Sequence, residues 1–118
     1  MMKINKISNF KPQPIVSQMF QGKVETQFLL DEKPGGIRVR ITSFSAGARN
    51  LLHSHTSQQV LFALEGRGIV ATENDEFILE PGMVAYISPH EKHWHGATAT
   101  SAFSHIAISG PGETIFPV

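Results

Sequence analysis

The chain has 118 residues, with 10 Lys and Arg set against 10 Asp and Glu and a formal net charge of +0. Hydrophobic residues at 41% and charged residues at 17% exclude a disordered composition, and a neutral chain without a basic run excludes an electrostatic surface for nucleic acid. With no cysteine, disulfides, thiolate catalysis, iron–sulfur clusters and zinc fingers are excluded as well. A reducing compartment fits that composition. Met1 to Lys6 shows no secretory pattern and no apolar run reaches about 18 residues, so a cytoplasmic protein without a membrane span is expected.

In chain order, the first 20 residues carry Pro12 and Pro14 and predict an irregular arm with room for a short helix at 16–20. A first strand is expected at 24–30, ended by the polar run Asp31-Glu32-Lys33-Pro34-Gly35-Gly36. Ile37, Val39 and Ile41 then alternate with Arg38, Arg40 and Thr42, the period of a half-buried strand that Gly47 breaks. Residues 59–64 read as another strand, followed by a turn at Glu65-Gly66-Arg67-Gly68. Segments 69–72 and 77–79 flank Asn74-Asp75 as a hairpin. Glu80-Pro81-Gly82 turns the chain into 83–87, Ser88-Pro89-His90 interrupts it, and 103–108 is the last clear strand. Eight or so short strands, with no room for crossover helices, predict an all-β fold: one antiparallel barrel or jelly-roll-like sandwich. The domain is expected to span residues 1–118, with the barrel at about 21–110.

The six histidines lie at 53, 55, 90, 93, 95 and 105. In extended backbone, residues two apart share a face, so His53 and His55 point together, as do His93 and His95. Gln59 has the same parity as His55 if the segment stays extended. His105 sits inside the apolar strand Phe103-Ser104-His105-Ile106-Ala107-Ile108. In a closed barrel these groups can converge on one interior point. Clustered imidazoles are costly to bury unless a cation organises them, so the pattern predicts a metal site. Trp94, between His93 and His95, should face the other side of the sheet.

The spacing resembles that of the cupin superfamily. Gly47, five residues, His53-Ser54-His55, three residues, Gln59, six residues and Gly66 match its first motif, with Gln in place of Glu. The second motif is matched by Gly82 and His93, whereas Ser88, His90 and Ala97 depart from it. The segments from Ser88 to Ala97 and from Phe103 to Ile108, with the Gln form of the first motif, look like short bacterial cupins that include manganese-dependent hydroxynitrile lyases.

That resemblance implies one divalent metal ion (Mn, Fe, Ni, Co or Zn, with Mn or Fe preferred) held by His53, His55, Gln59 and His93. It further implies pocket roles for His95 and His105, either of which could move a proton as general acid or base. Other readings remain open: Gln59 as an ordinary strand amide, His95 as a supporting partner or solvated strand end, and His105 as a structural histidine. His90 stands where the family has a turn glycine and is expected to have a local role. The function implied is metal-dependent catalysis on a small organic molecule, most concretely C–C cleavage of a cyanohydrin with the metal as Lewis acid. A cupin dioxygenase and a non-catalytic module that binds a small ligand are the rivals. A homodimer that covers an exposed sheet edge is expected.

Overall fold

A computed structural model describes residues 1–118. After a single 3-10 turn at Ile7–Asn9 come the strands β1 (Gln13–Pro14), β2 (Phe20–Gln21), β3 (Val24–Asp31), β4 (Arg38–Phe44), β5 (Arg49–Asn50), β6 (Ser54–His55) and β7 (Gln59–Gly66). They are followed by β8 (Gly68–Ala71), β9 (Glu76–Leu79), β10 (Val84–Ile87), β11 (Trp94–Ala97), β12 (Phe103–Ser109) and β13 (Thr114–Ile115). One sheet has the order β1-β3-β4-β12-β7-β10, a second the order β2-β5-β11-β8-β9, and β13 pairs with β6. Every pairing is antiparallel, so the architecture is the all-β one that the sequence predicts.

The short helix anticipated at 16–20 is absent. Ser17 makes a turn instead: its hydroxyl accepts from the Met19 N–H (3.1 Å) and its carbonyl from the Phe20 N–H (3.2 Å). Serine side chains compete with helical bonding in this way, and so short a helix cannot offset the cost of nucleation. The chain enters β2, where Phe20 pairs with Asn50 and Gln21 with Arg49. At the other end of the chain, β13 returns to pair Thr114 with His55.

The interior follows from strand parity and register. Pairing across β4 and β12 sets Phe44 beside Phe103, Thr42 beside His105, Arg40 beside Ala107 and Arg38 beside Ser109. Both strands therefore run from an apolar end to a polar one on the same inward face. At the apolar end the Phe44 and Phe103 rings stack at 6.5 Å, packed with Val24, Ala48, Ala63, Leu79 and Ala97. Leu61, Ile87 and Ala107 form a second, smaller cluster. The alternation read in β4 is correct, yet the interior face carries the arginines, while Ile37 is exposed and Val39 only partly buried.

Two local features fix this arrangement. Gly66 closes β7 at φ +77, where a Cβ would collide with the Ala102 carbonyl, so the strand ends there on a residue that only glycine satisfies. In the β12–β7 pairing the register shifts between Ser104 and His105, which pair with Glu65 and Ala63 and leave Leu64 over. The extra residue of this bulge lies in β7, while β12 alternates without a break through Phe103, His105 and Ala107, and that parity keeps His105 turned inward at 0% exposure.

Candidate metal centre

The two His-x-His segments meet through their backbones. His53 and His93 exchange both N–H···O bonds at 2.9 Å, and the His90 N–H donates to the His55 carbonyl at 2.7 Å. Residues opposed in this way present their side chains to one face. The imidazoles of His53, His55 and His93, all buried, accordingly offer nitrogens that lie within 4.8 Å of one another. His90 is exposed and adopts φ +66, the left-handed turn geometry for which glycine is usual and histidine tolerable. The turn that presents His93 is thus formed despite the substitution.

Each ring is oriented by its other nitrogen. The Nδ1 of His53 bonds the Leu51 carbonyl at 2.7 Å, and the Nδ1 of His93 bonds the Glu91 carbonyl at 2.8 Å. A carbonyl only accepts, so both rings carry their proton on Nδ1 and direct the Nε2 lone pair into the cluster. His55 Nδ1 meets Thr114 Oγ1 at 3.0 Å. The buried Nε2 atoms of His55 and His93 and the buried Oε1 of Gln59 find no hydrogen-bond partner in the chain. Buried polar atoms are rarely left so. A divalent cation between the imidazoles would satisfy the two nitrogens, Gln59 lines the same small cavity as His55, and an N/O donor set suits Mn, Fe, Co, Ni or Zn.

The environment keeps these rings neutral. Burial, followed by the charge of His93, lowers the pKa of His53 to about 4. Burial, followed by the charges of His53 and His93, lowers that of His55 to about 3. His93 is lowered as well, chiefly by burial. Neutral imidazole is the form that binds metal.

His95 and His105 are buried beside the cluster but are bonded differently. Asn50 Oδ1 accepts from the His95 backbone N–H at 2.8 Å, which leaves the amide nitrogen facing His95 Nε2 at 3.2 Å. That nitrogen can only donate, so the neutral His95 ring carries its proton on Nδ1 and donates to His105 Nε2 at 3.0 Å. The result is a directed chain, Asn50 to His95 to His105. Burial and then the charge of His105 hold His95 well below its ordinary value. Burial and then the charge of Arg40 lower His105 to about 3.

Residues that the sequence reading passed over also take part. Asn50 fixes the His95 tautomer and Thr114 orients His55, but both act across long stretches of chain that no local pattern links. Trp94 faces away from the cluster as expected, with the Arg49 guanidinium 3.6 Å from its ring centroid. Of the aromatic and aliphatic residues at 44, 61, 62, 83, 86 and 103, Phe44, Leu61 and Phe103 are core, whereas Phe62, Met83 and Tyr86 are exposed.

Two cavities reach the histidines from different sides. An apolar cavity of about 310 Å³ opens between β8, β9 and β10; it is lined by Val70, Phe77, Met83 and Tyr86 among others and touches His93. A small polar one of about 40 Å³ touches His55 and Gln59 and is lined by Arg38, Arg40, Ser109 and Thr114.

A two-sheet antiparallel barrel with three convergent imidazoles that can hold a metal ion defines the class. The chain belongs to the cupin family: the profile described as "Cupin domain" matches residues 40–109. Over 67 residues it is 42% identical to an (R)-mandelonitrile lyase of Granulicella tundricola, covering 56% of this chain and 51% of that protein. The chain therefore spans about half the length of that curated relative. An uncharacterized protein of Methanocaldococcus jannaschii is 30% identical over 95 residues, covering 78% of this chain and 74% of that one. Among solved structures, a cupin-like protein from Thermotoga maritima superposes with a TM-score of 0.81 at 32% identity, over 88% of this chain and 85% of that one. No helix is long and apolar enough to cross a membrane.

Proposed function

We propose that the protein is a metal-dependent cupin enzyme that acts on a small organic molecule, with His53, His55, His93 and Gln59 as the metal ligands. The observation that carries this reading is the convergence of the His53, His55 and His93 nitrogens within 4.8 Å of one another, with the buried Nε2 of His55 and His93 left without a partner. When bound, a divalent ion held by neutral donors supplies Lewis-acid stabilisation of a developing negative charge. Mn or Fe is favoured, because each can leave positions open beside four protein ligands.

The chain's own groups would do the rest. The apolar cavity would accept the hydrocarbon part of a substrate next to His93. Proton transfer is assigned to His105 or His95: in the neutral pair His105 Nε2 accepts from His95, so His105 carries its own proton on the buried, unpartnered Nδ1, an N–H that can donate to a substrate oxygen. The similarity to an (R)-mandelonitrile lyase favours C–C cleavage of a cyanohydrin as the reaction to test first.

Metal analysis of protein purified without chelators, compared with the His53→Ala/His55→Ala variant, tests the site. The expected result is about one equivalent of metal in the parent and little in the variant; equal contents sink the reading. Benzaldehyde release from mandelonitrile at mildly acidic pH tests the lyase step, and oxygen uptake with diketone or catechol substrates tests the dioxygenase rival.

The outer face of the larger sheet exposes Phe62, Val84 and Tyr86 next to the partly buried Val60, Ile106 and Ile108. That apolar surface supports the homodimer expected from the sequence, and light scattering should give twice the chain mass.

A further inference from the structure

The polar cavity contains a charge imbalance that the metal reading does not explain. Arg40 and Arg38 project into it from β4 beside His55 and Gln59, at the register positions opposite Ala107 and Ser109. Arg38 donates through Nη2 to the carbonyls of Gly110 and Gly112, both at 3.2 Å, while its buried Nε has no partner. The Arg40 guanidinium makes no side-chain hydrogen bond. Neither cation forms an ion pair: the pairs are Lys3–Glu32, Lys23–Glu25 and Lys33–Asp31, and Asp31, which stands opposite Arg38 in the β3–β4 register, pairs with Lys33 and does not line the cavity.

The surroundings add positive charge and nothing to cancel it. The candidate ligands are three imidazoles and an amide, all neutral, so a divalent ion there would keep its full charge. Arg38 and Arg40 alternate along β4 onto the same inward face, so the two cations stand side by side in the cavity wall, and burial and then the charge of Arg38 lower the Arg40 pKa. A partly buried guanidinium without a counter-charge is costly unless an anion completes it. The cavity, at about 40 Å³, has room on the order of one or two water molecules, the scale of a single carboxylate group. Guanidinium is the side chain whose planar fork matches a carboxylate with two parallel bonds.

We propose that Arg40, supported by Arg38, forms a carboxylate-binding subsite beside the candidate metal centre, so that the ligand this protein selects is a small organic acid. Arg40 receives the carboxylate, and Arg38 is fixed by the Gly110 and Gly112 carbonyls to shape the pocket. The subsite rests on the metal-site reading for its second anchor only; the guanidinium anchor stands without it.

Titration calorimetry with the manganese-loaded full chain tests this, using oxalate, lactate and mandelate against the neutral lactamide and mandelamide. At least one acid is expected to bind, and Arg40→Gln to weaken it by about tenfold to a hundredfold, the scale of a lost charge-assisted pair, with metal content unchanged. Arg40→Lys keeps the charge without the fork and should fall between the two, which guards against a glutamine variant that misfolds. An acid affinity unchanged in both Arg40 variants overturns the subsite and leaves the metal reading standing. Failure of every acid to bind the parent overturns it too. If the protein takes up no metal, the same titrations on the metal-free chain decide: Arg40-dependent binding upholds the subsite alone, and its absence removes both.

Discussion

The buried histidines form two neighbouring groups with opposite hydrogen-bonding. His53, His55 and His93 each have Nδ1 tied to a carbonyl or hydroxyl oxygen, and in His55 and His93 the buried Nε2 finds no partner. In His95 and His105 the bonded nitrogens face Asn50 and each other. The two groups are almost in contact: the His53 and His95 ring centroids are 5.8 Å apart, so burial alone does not separate them. What separates them is where the second nitrogen points. One group is open toward a cation; the other closes on itself through Asn50 and the His95–His105 bond, with only the buried Nδ1 of His105 left without a partner.

The largest expected effect that sharpens this contrast is the response to acid. All five rings have pKa values lowered from 6.5, to about 4 for His53 and about 3 for His55 and His105. Below pH 6.5 the unfolded chain takes up protons that the folded chain refuses, so stability falls as pH falls. The loss should begin near pH 6.5 and continue to about 4 for His53 and about 3 for His55 and His105. Thermal melts of metal-free protein across that range should show a steep decline. A saturating divalent ion should move the acid midpoint to lower pH, because it binds only the unprotonated open group. If the midpoint stays put with metal, the open group is not a ligand set.

A smaller effect isolates the closed group. Asn50→Leu removes the acceptor for the His95 N–H and the donor to its Nε2, leaving buried polar atoms unanswered. The expected loss of stability in urea unfolding is about 2–4 kcal/mol, with metal content unchanged. Loss of metal in that variant would mean that the two groups form one network and that the division drawn between them is wrong.

The part of this legible in the sequence is the part governed by strand parity. Spacing two places His53 with His55, and within β7 Gln59 alternates inward with Leu61 and Ala63, but the chain bends at Thr56 and Ser57, so parity does not carry from His55 to Gln59. The turn at Gly66 and the hairpin around Asn74-Asp75 were equally local. Strand β4 shows where parity runs out: alternation gives two faces without saying which is inside. Aliphatic residues at 37, 39 and 41 invite an inward assignment, yet the interior at that end is polar and takes Arg38 and Arg40. Asn50 and Thr114 were illegible for another reason. Their partners lie 45 and 59 residues away in the chain, and only the folded pairing of β5 with β11 and of β13 with β6 brings them together.

Thr114 gives the finest test of the open group, because it touches a candidate ligand without being one. With its Nε2 directed into the cluster, His55 donates from Nδ1 to Thr114 Oγ1. Valine keeps the shape and the strand pairing of Thr114 with His55 but offers no acceptor. Thr114→Val should therefore leave folding nearly unchanged while weakening metal affinity by about tenfold, the low end for partners that orient a ligating histidine. Competition against a fluorescent chelator measures it, and Thr114→Ser, which restores the hydroxyl, should recover most of the loss. An affinity that ignores both substitutions would mean that His55 is oriented by burial alone, and the contact with β13 would then serve only to close the barrel.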